Sequence, residues 1–186
     1  MIIRQRTAIL TPFETSKIRE NLNEKYQAIA DGLLHTQMRV EELWEFMRHP
    51  EWYFASRRCI ELPKGAIKKV KTLHKERTVR LSLAGCSAVE YLLKMNPDKV
   101  SRQAMGPALK RAAKKAEFKK LDGITSKMYR KTAISWLMTC MPEKMYMISG
   151  SAGHTIDTMQ DHYTNMAFEK RDIEDMRALL KGWGET

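Results

Sequence analysis

The sequence has 186 residues, a length typical of one domain. Its 33 lysines and arginines against 22 aspartates and glutamates give a formal net charge of +11, which excludes an acidic binding protein and argues against a charge-balanced enzyme. An excess of this size indicates a polyanionic partner, either nucleic acid or an anionic membrane surface. Because 43% of the residues are hydrophobic, the sequence predicts a folded basic domain with a core, not a disordered tail.

The N-terminus and the cysteines both indicate a reducing compartment. Arg4 and Arg6 interrupt the first ten residues, so no signal peptide is apparent, and no uncharged stretch is long enough for a membrane span. The three cysteines, Cys59, Cys86 and Cys140, are widely spaced and form no Cys-x-x-Cys pair, which argues against a disulfide framework and a zinc site.

The first quarter of the chain predicts three helices. Residues 11–14 read Thr-Pro-Phe-Glu, with a capping threonine, a proline in the first turn and a glutamate three residues after the threonine, so a helix is expected from there to about Asn21. A second helix is predicted at about residues 24–34 from its apolar side. A third is predicted at residues 40–47, ending before Pro50.

The pattern changes after Trp52. Residues 59–62, 66–71 and 77–82 are rich in β-branched or alternating residues and predict three short strands. The remainder predicts helices at about 84–95, 102–118, 125–141, 144–148 and 167–181. We therefore predict one α+β domain, mostly α, in which a helical bundle carries a small three-stranded antiparallel sheet. Its core would cover about residues 10–165, followed by a tail helix at 166–186.

Two segments hold much of the positive charge. Residues 64–80 contain seven lysines or arginines and one acidic residue, and residues 99–120 contain eight and one. One such run is usually a solvated face. Two runs in one domain favour a surface that follows a phosphate backbone.

Six residues that could act on a phosphate are spread along the chain, together with a glutamate, Glu42, one helical turn after the first of them. Each of the six, taken alone, is more often structural than catalytic. Two of them are three residues apart and therefore share a helix face. Another follows a Ser-Gly-Ser-Ala-Gly segment that we interpret as a loop. In chain order they are Arg39, Lys71, Lys127, Arg130, His154 and Tyr163.

The residues around these six form ordered boxes. Residues 36–43 read TQMRVEEL, residues 75–81 read KERTVRL, and residues 127–130 read KMYR. Gly153-His154 is followed, nine residues after the histidine, by Tyr163. In this order and spacing the boxes resemble those of the catalytic domain of tyrosine recombinases, the phage-integrase and Xer family. The resemblance extends over residues 10–163, nearly the whole chain.

The sequence departs from the family pattern at three points. Gln37 stands where the family has glycine, and Lys127 stands where many members have histidine. The Lys-x-x-Arg form is most like that of integrases of archaeal viruses and plasmids. The resemblance does not include the family's N-terminal core-binding domain, so we expect a catalytic domain alone. The third departure is that the hairpin lacks its usual glycine, which leaves the position of the family's hairpin lysine open. Lys71 fits best, and Lys68, Lys69 and Lys75 are the alternatives.

The resemblance implies transesterification at a DNA phosphodiester. The Tyr163 hydroxyl would attack phosphorus and form a 3′-phosphotyrosine, and Lys71 would protonate the leaving 5′ oxygen. Arg39 and Arg130 would bind the non-bridging oxygens, where other phosphoryl-transfer enzymes use a metal ion. The covalent link keeps the phosphodiester energy, so neither a cofactor nor a metal is expected.

The other candidates support this chemistry. His154 and Lys127 would add hydrogen bonds to the phosphate, and Glu42 would orient Arg39 or the neighbouring backbone. The basic segments would contact the DNA backbone near the cleavage site. The candidates for these contacts are Lys68, Lys69, Lys75, Arg102, Lys110, Arg111, Lys114 and Lys115.

The resemblance also implies partners and a location. We expect double-stranded DNA carrying an attachment site, a homo-tetramer on that DNA and a monomer when free. The expected location is the cytoplasm, at the nucleoid, or the host cytoplasm for a viral protein. The tail could pack on its own domain or dock on a neighbouring protomer, and Tyr163 could act in cis or in trans. The apolar stripe of the tail consists of Phe168, Ile173, Met176, Leu179, Leu180 and Trp183.

Three alternatives compete with a recombinase. A type IB topoisomerase shares the constellation, but the short interval between His154 and Tyr163 favours a recombinase. A non-catalytic DNA-binding module would not need the complete set of residues. A membrane-surface role is disfavoured because no strongly basic helix has an aromatic face that could insert into lipid.

Overall fold

A short hairpin opens the chain. The computed structural model describes residues 1–66, 76–95, 100–163 and 166–185. Strands β1 (Ile2–Arg4) and β2 (Thr7–Ile9) pair antiparallel through a two-residue turn. Both turn residues, Gln5 and Arg6, have positive φ, at 50° and 57°, as the twist of a two-residue hairpin requires. The sequence pattern does not predict this hairpin, because three-residue strands are too short to show alternation.

Three helices follow, close to their predicted positions. They are α1 (Pro12–Glu20), α2 (Glu24–Thr36) and α3 (Val40–Arg48). The side chain of Thr11 caps the first helix and Glu14 bonds back to the Thr11 amide, which is the predicted capping box.

The small sheet contains strands β3 (Tyr53–Phe54), β4 (Cys59–Leu62) and β5 (Arg77–Arg80) in that order, all antiparallel. The predicted strands at 59–62 and 77–82 are confirmed, the second ending two residues early. The predicted strand at 66–71 lies, apart from Ala66, outside the described residues. The sequence analysis missed β3, which has two residues.

Six further helices complete the described part of the chain. The sequence pattern does not predict α8. The predicted loop at Ser149 to Ala152 is wrong, because these residues form the end of α7. None of the helices in the described ranges is long and apolar enough to cross a lipid bilayer. The six are α4 (Leu83–Leu93), α5 (Arg102–Lys115), α6 (Lys127–Cys140), α7 (Met145–Ala152), α8 (Ile156–Tyr163) and α9 (Lys170–Leu179).

Helix α6 is the centre of the core. It packs against β2, α2, α7, α8 and α9. Its Trp136 is fully buried and donates a hydrogen bond to the Leu10 carbonyl at 2.8 Å, and Thr132 accepts one from the Leu10 amide at 3.0 Å. Leu10 directly follows the N-terminal hairpin. The two hydrogen bonds therefore connect the end of the hairpin to α6, the helix that carries Lys127 and Arg130.

The C-terminal segment packs on its own domain. Helix α9 lies against α6 and α1, and Met176, Leu180 and Trp183 are buried. The Lys181 carbonyl accepts a hydrogen bond from the Leu83 amide at 3.0 Å. This bond connects the C-terminal segment to the first residue of α4. Of the two placements considered for the tail, this structure contains the intramolecular one.

Candidate functional site

A cavity of about 490 Å³ lies between the start of α3, the first turns of α5 and α6, and the end of α8. Five of the six predicted catalytic residues line it, together with one of the predicted DNA-binding residues. Lys71 and the alternatives Lys68, Lys69 and Lys75 lie outside the described residues. The predicted residues that line the cavity are Arg39, Arg102, Lys127, Arg130, His154 and Tyr163.

Arg39 is fixed at the start of α3 by Glu42. Arg39 is the N-cap residue and Glu42 is the third residue of the helix, so the Glu42 carboxylate accepts the Arg39 backbone N–H at 2.6 Å. The same carboxylate accepts a bond from Arg39 Nη1 at 2.9 Å. Glu42 is 1% exposed and Arg39 is 44% exposed, so the anion is buried and the cation faces the cavity.

Glu42 also binds a second arginine that comes from the sheet. Arg77 on β5 donates from Nη1 and Nη2 to the two carboxylate oxygens at 2.9 and 2.7 Å. Arg130 Nη1 lies 3.8 Å from the same carboxylate. Burial alone would raise the pKa of Glu42, but the hydrogen bonds and charge of Arg77 and the charge of Arg130 lower that pKa to about 2. The Glu42 carboxylate therefore interacts with three guanidinium groups, and the cluster has a net positive charge.

Arg130 is held by two backbone carbonyls. It donates from Nη1 to the Gln37 carbonyl and from Nη2 to the Ala152 carbonyl. Gln37 has φ 54°, the left-handed conformation that glycine adopts most easily, and this directs its carbonyl toward Arg130. Burial lowers the pKa of Arg130 to about 10, so it stays cationic at neutral pH. A guanidinium has five N–H donors, and the remaining ones are available to an anion.

His154 follows the end of α7 and lies beside Tyr163. Gly153, which separates the end of α7 from His154, has φ 67°. A Cβ at this position would lie 3.2 Å from the Arg77 side chain. The rings of His154 and Tyr163 are 5.6 Å apart between centroids and tilted by 51°. Burial, together with the charges of Arg130 and Arg39, lowers the pKa of His154 to about 3, so its ring is neutral.

Tyr163 ends α8 with its side chain at the cavity wall. It is 4% exposed. Burial raises the pKa of its hydroxyl, and the charges of Arg130 and Arg39 act in the opposite direction. The phenol is therefore protonated at neutral pH, beside two cations that stabilise negative charge as it develops.

The remaining basic candidates differ in their distance from the cavity. Lys127, the first residue of α6, is exposed at the cavity rim, and Arg102 at the start of α5 lies 3.9 Å from Glu41. Further along α5, four basic residues are exposed and none lines the cavity: Lys110, Arg111, Lys114 and Lys115.

Helical geometry separates the three lysines among these four residues. Gln103 and Gly106 of α5 line the cavity. Lys110 and Lys114 continue the same strip of the helix, because residues three or four apart share a face. Lys115 lies about 100° further round from Lys114. The strip with Lys110 and Lys114 therefore extends the cationic surface away from the cavity.

The cavity can bind a tetrahedral anion beside a hydroxyl nucleophile. Two arginines and a lysine supply positive charge, and neutral His154 supplies a hydrogen-bonding ring. Within the described ranges, no group of three or more histidine, cysteine, aspartate or glutamate side chains is arranged to hold a metal ion. The arrangement suits phosphoryl transfer to or from the Tyr163 hydroxyl.

No protein-family model matches the sequence, and no curated protein matches it. Among solved structures, the crystal structure of XerA recombinase matches with a TM-score of 0.64 and 16% sequence identity. The chain shares its fold with XerA recombinase. The match covers 95% of this chain and 66% of the XerA chain. It confirms the predicted fold class, a mostly helical α+β domain of the tyrosine-recombinase type.

Sequence reasoning missed two parts of the site. Arg77 lay within the quoted box at 75–81 but was given no role, although it binds Glu42 and donates from Nε to the Ser151 carbonyl at 3.1 Å. Its position in that box was the available signal. The turn at Gln5, which contacts α8, lies before the first predicted helix and carried no signal.

Proposed function

We propose that this protein is the catalytic domain of a site-specific DNA recombinase or integrase that cleaves and rejoins DNA through a 3′-phosphotyrosine. The observation that carries the proposal is the position of Tyr163 at the wall of a cavity that Arg39 and Arg130 also line. The net charge of +11 and the exposed lysines of α5 support a DNA partner.

In the proposed reaction, Arg39 and Arg130 bind the non-bridging oxygens of one phosphodiester. The Tyr163 oxygen attacks phosphorus, a P–O bond to the tyrosine forms, and the P–O5′ bond breaks. The proton that Tyr163 loses is balanced by one delivered to the 5′ oxygen, for which the family resemblance suggests Lys71. A 5′ hydroxyl reverses these steps and restores the phosphodiester.

His154 and Lys127 contribute hydrogen bonds in this proposal. Neutral His154 donates from one ring nitrogen to the phosphate, and Lys127 donates from the cavity rim. Glu42 does not touch the DNA, and its role is to hold Arg39 in place. The groups stabilise charge that develops in the transition state, which is the main requirement of phosphoryl transfer.

The assembly and the biological setting are also part of the proposal. The DNA partner is a duplex with an attachment site, bound by a homo-tetramer connected through α9, and the setting is an archaeal virus or plasmid whose product acts in the cytoplasm. The burial of Met176, Leu180 and Trp183 against their own domain favours a monomer in the absence of DNA. This chain spans 66% of the XerA recombinase chain. The activity proposed for this chain is therefore taken from a longer protein.

The experiment is the capture of a covalent adduct. Duplexes with a nick next to randomised sequence are incubated with the protein, denatured, and recovered as protein-linked DNA, whose sequencing gives the attachment site. We expect Tyr163→Phe to form no adduct and Tyr146→Phe, at a tyrosine that is 77% exposed on α7, to match the wild type. Relaxation of plasmids without exchange between duplexes would instead identify a topoisomerase.

A further inference from the structure

The turn of the N-terminal hairpin lies against the helix that carries Tyr163. Arg4 Nη2 donates a hydrogen bond to the Asp161 carbonyl at 2.9 Å. The Gln5 side chain is 2.8 Å from the Nδ1 atom of His162. Both contacts are made to the last turn of α8, one and two residues before Tyr163.

The orientation of the Gln5 amide is determined by a lysine of α6. Lys131 Nζ donates to Gln5 Oε1 at 3.1 Å and to the Arg4 carbonyl at 3.2 Å. An ammonium group has donors and no acceptor, so the oxygen of the Gln5 amide must face it. The NH₂ group then faces His162, whose Nδ1 must accept, and the ring hydrogen is therefore on Nε2.

The hairpin itself is fixed to the body of the domain. Residues Thr7 to Ile9 of β2 are buried and pack against α6. The Ala8 amide donates to the Gly123 carbonyl at 3.1 Å, and a Cβ on Gly123 would come within 2.8 Å of the Ala8 nitrogen. The turn is thus a rigid point from which Arg4 and Gln5 reach α8.

Lys131 also connects this turn to the catalytic arginine. It directly follows Arg130 on α6 and lines the same cavity. A single helix therefore carries the side chain that would hold the phosphate and the side chain that orients Gln5. The distance between nucleophile and phosphate would be set through these contacts.

We propose that Gln5 is a positioning residue for Tyr163. Arg4 and Gln5 hold the last turn of α8 so that Tyr163 stays at the cavity beside Arg130. The inference rests on the proposed function, because it assigns the contact a purpose in DNA cleavage. The Gln5 contact can also be detected without DNA, because it fixes the tautomer of His162.

The first measurement needs no DNA. Long-range ¹H–¹⁵N spectra of the histidine rings report which nitrogen carries the hydrogen, and His162→Asn assigns the resonance. We expect the Nε2–H form in the wild type and a shift to the Nδ1–H form in Gln5→Glu, where a carboxylate replaces the donor. Identical His162 spectra in both proteins would overturn the proposal.

The second measurement separates positioning from binding. Gln5→Ala is expected to lower the rate of adduct formation at saturating DNA by about tenfold, as small misplacements of a reacting group do. Affinity for DNA, measured in the Tyr163→Phe background, should stay unchanged. Arg6→Ala alters the other residue of the turn, whose side chain is exposed, and should leave the saturated rate unchanged. An unchanged rate in Gln5→Ala would also overturn the proposal.

The two proposals can fail separately. If the wild type forms no adduct with any duplex, the proposed function is wrong, and amide hydrogen exchange then tests the turn. Gln5→Ala should speed exchange in α8 while leaving α9 unchanged. Equal exchange in the wild type and Gln5→Ala would contradict the positioning role in that case.

Discussion

Glu42 and Arg77 form a two-bond ion pair beneath the cavity, with N–O distances of 2.7 and 2.9 Å between α3 and β5. The carboxylate is 1% exposed, and its pKa is lowered from 4.5 to about 2. A pKa that is lower in the folded state stabilises the fold above the unfolded pKa, and this stabilisation is lost as the pH falls through the folded value.

We therefore expect the free energy of unfolding to fall steeply in acid. Between about pH 5 and about pH 2 the wild type should lose about 3 kcal/mol through Glu42. Denaturant unfolding across this range measures the slope. The slope should be shallower in Glu42→Gln and unchanged in Glu45→Gln, because Glu45 on the same helix is only half-buried and its ion pairs within the described residues are long, at 3.8 and 3.5 Å. Equal slopes in Glu42→Gln and the wild type would contradict the buried pair.

The arginines of the cavity should matter for cleavage more than for affinity. Arg39→Ala and Arg130→Ala each remove a donor aimed at the developing charge, and each should slow adduct formation by about 10² to 10³. Arg57→Ala is the matched control, since Arg57 pairs with Glu61 at an exposed site. Quench-flow or gel measurement of the adduct at saturating DNA gives the rates. Wild-type rates in both cavity variants would contradict the arrangement.

His154 should not titrate in the neutral range. Burial and the neighbouring arginines lower its pKa to about 3, so its ring is protonated only in strong acid. The rate of adduct formation should therefore show no inflection near about pH 6.5, the ordinary value for histidine. His154→Gln, which keeps a donor, should lower the rate by a constant factor over the same range. An inflection that disappears in His154→Gln would contradict a neutral ring.

Local patterns predicted the parts of the site that depend on neighbours in sequence. The spacing of Arg39 and Glu42 puts the carboxylate at the third helical position, within reach of the backbone N–H it accepts. Arg77 is 35 residues from Glu42, and its role depends on β5 lying beside α3 and α7. No local pattern contains that contact.

The end of α7 shows why one prediction was wrong. Ser149 to Ala152 have the composition of a loop, with small and polar residues that favour turns. In the fold, Ile148 and Ala152 are buried and α7 packs against α6, so burial of apolar surface favours a helix here. The glycine that ends the helix, Gly153, has the positive φ typical of that position.

The exposed lysines of α5 should contribute unequally to the affinity for DNA. Lys110 and Lys114 continue the strip of the helix that reaches the cavity, whereas Lys115 lies on another side. Alanine at Lys110 or Lys114 should weaken binding to any duplex and reduce the slope of log affinity against log salt by about 0.9 for each phosphate that the variant no longer neutralises. Lys115→Ala is the charge-matched control. Titrations at several salt concentrations give the slopes, and equal slopes for all three variants would contradict the strip.

The tail should stabilise the domain through the bulk of Trp183 and not through its indole N–H. Trp183 is 1% exposed, and its Nε1 has no hydrogen-bond partner among the described residues. Trp183→Ala should therefore lower the free energy of unfolding by about 3 to 5 kcal/mol, as for other buried aromatic residues. Trp183→Phe keeps much of the apolar surface and gives up no hydrogen bond, so it should cost clearly less. Denaturant unfolding of the two variants measures the difference, and equal losses would contradict stabilisation through apolar bulk.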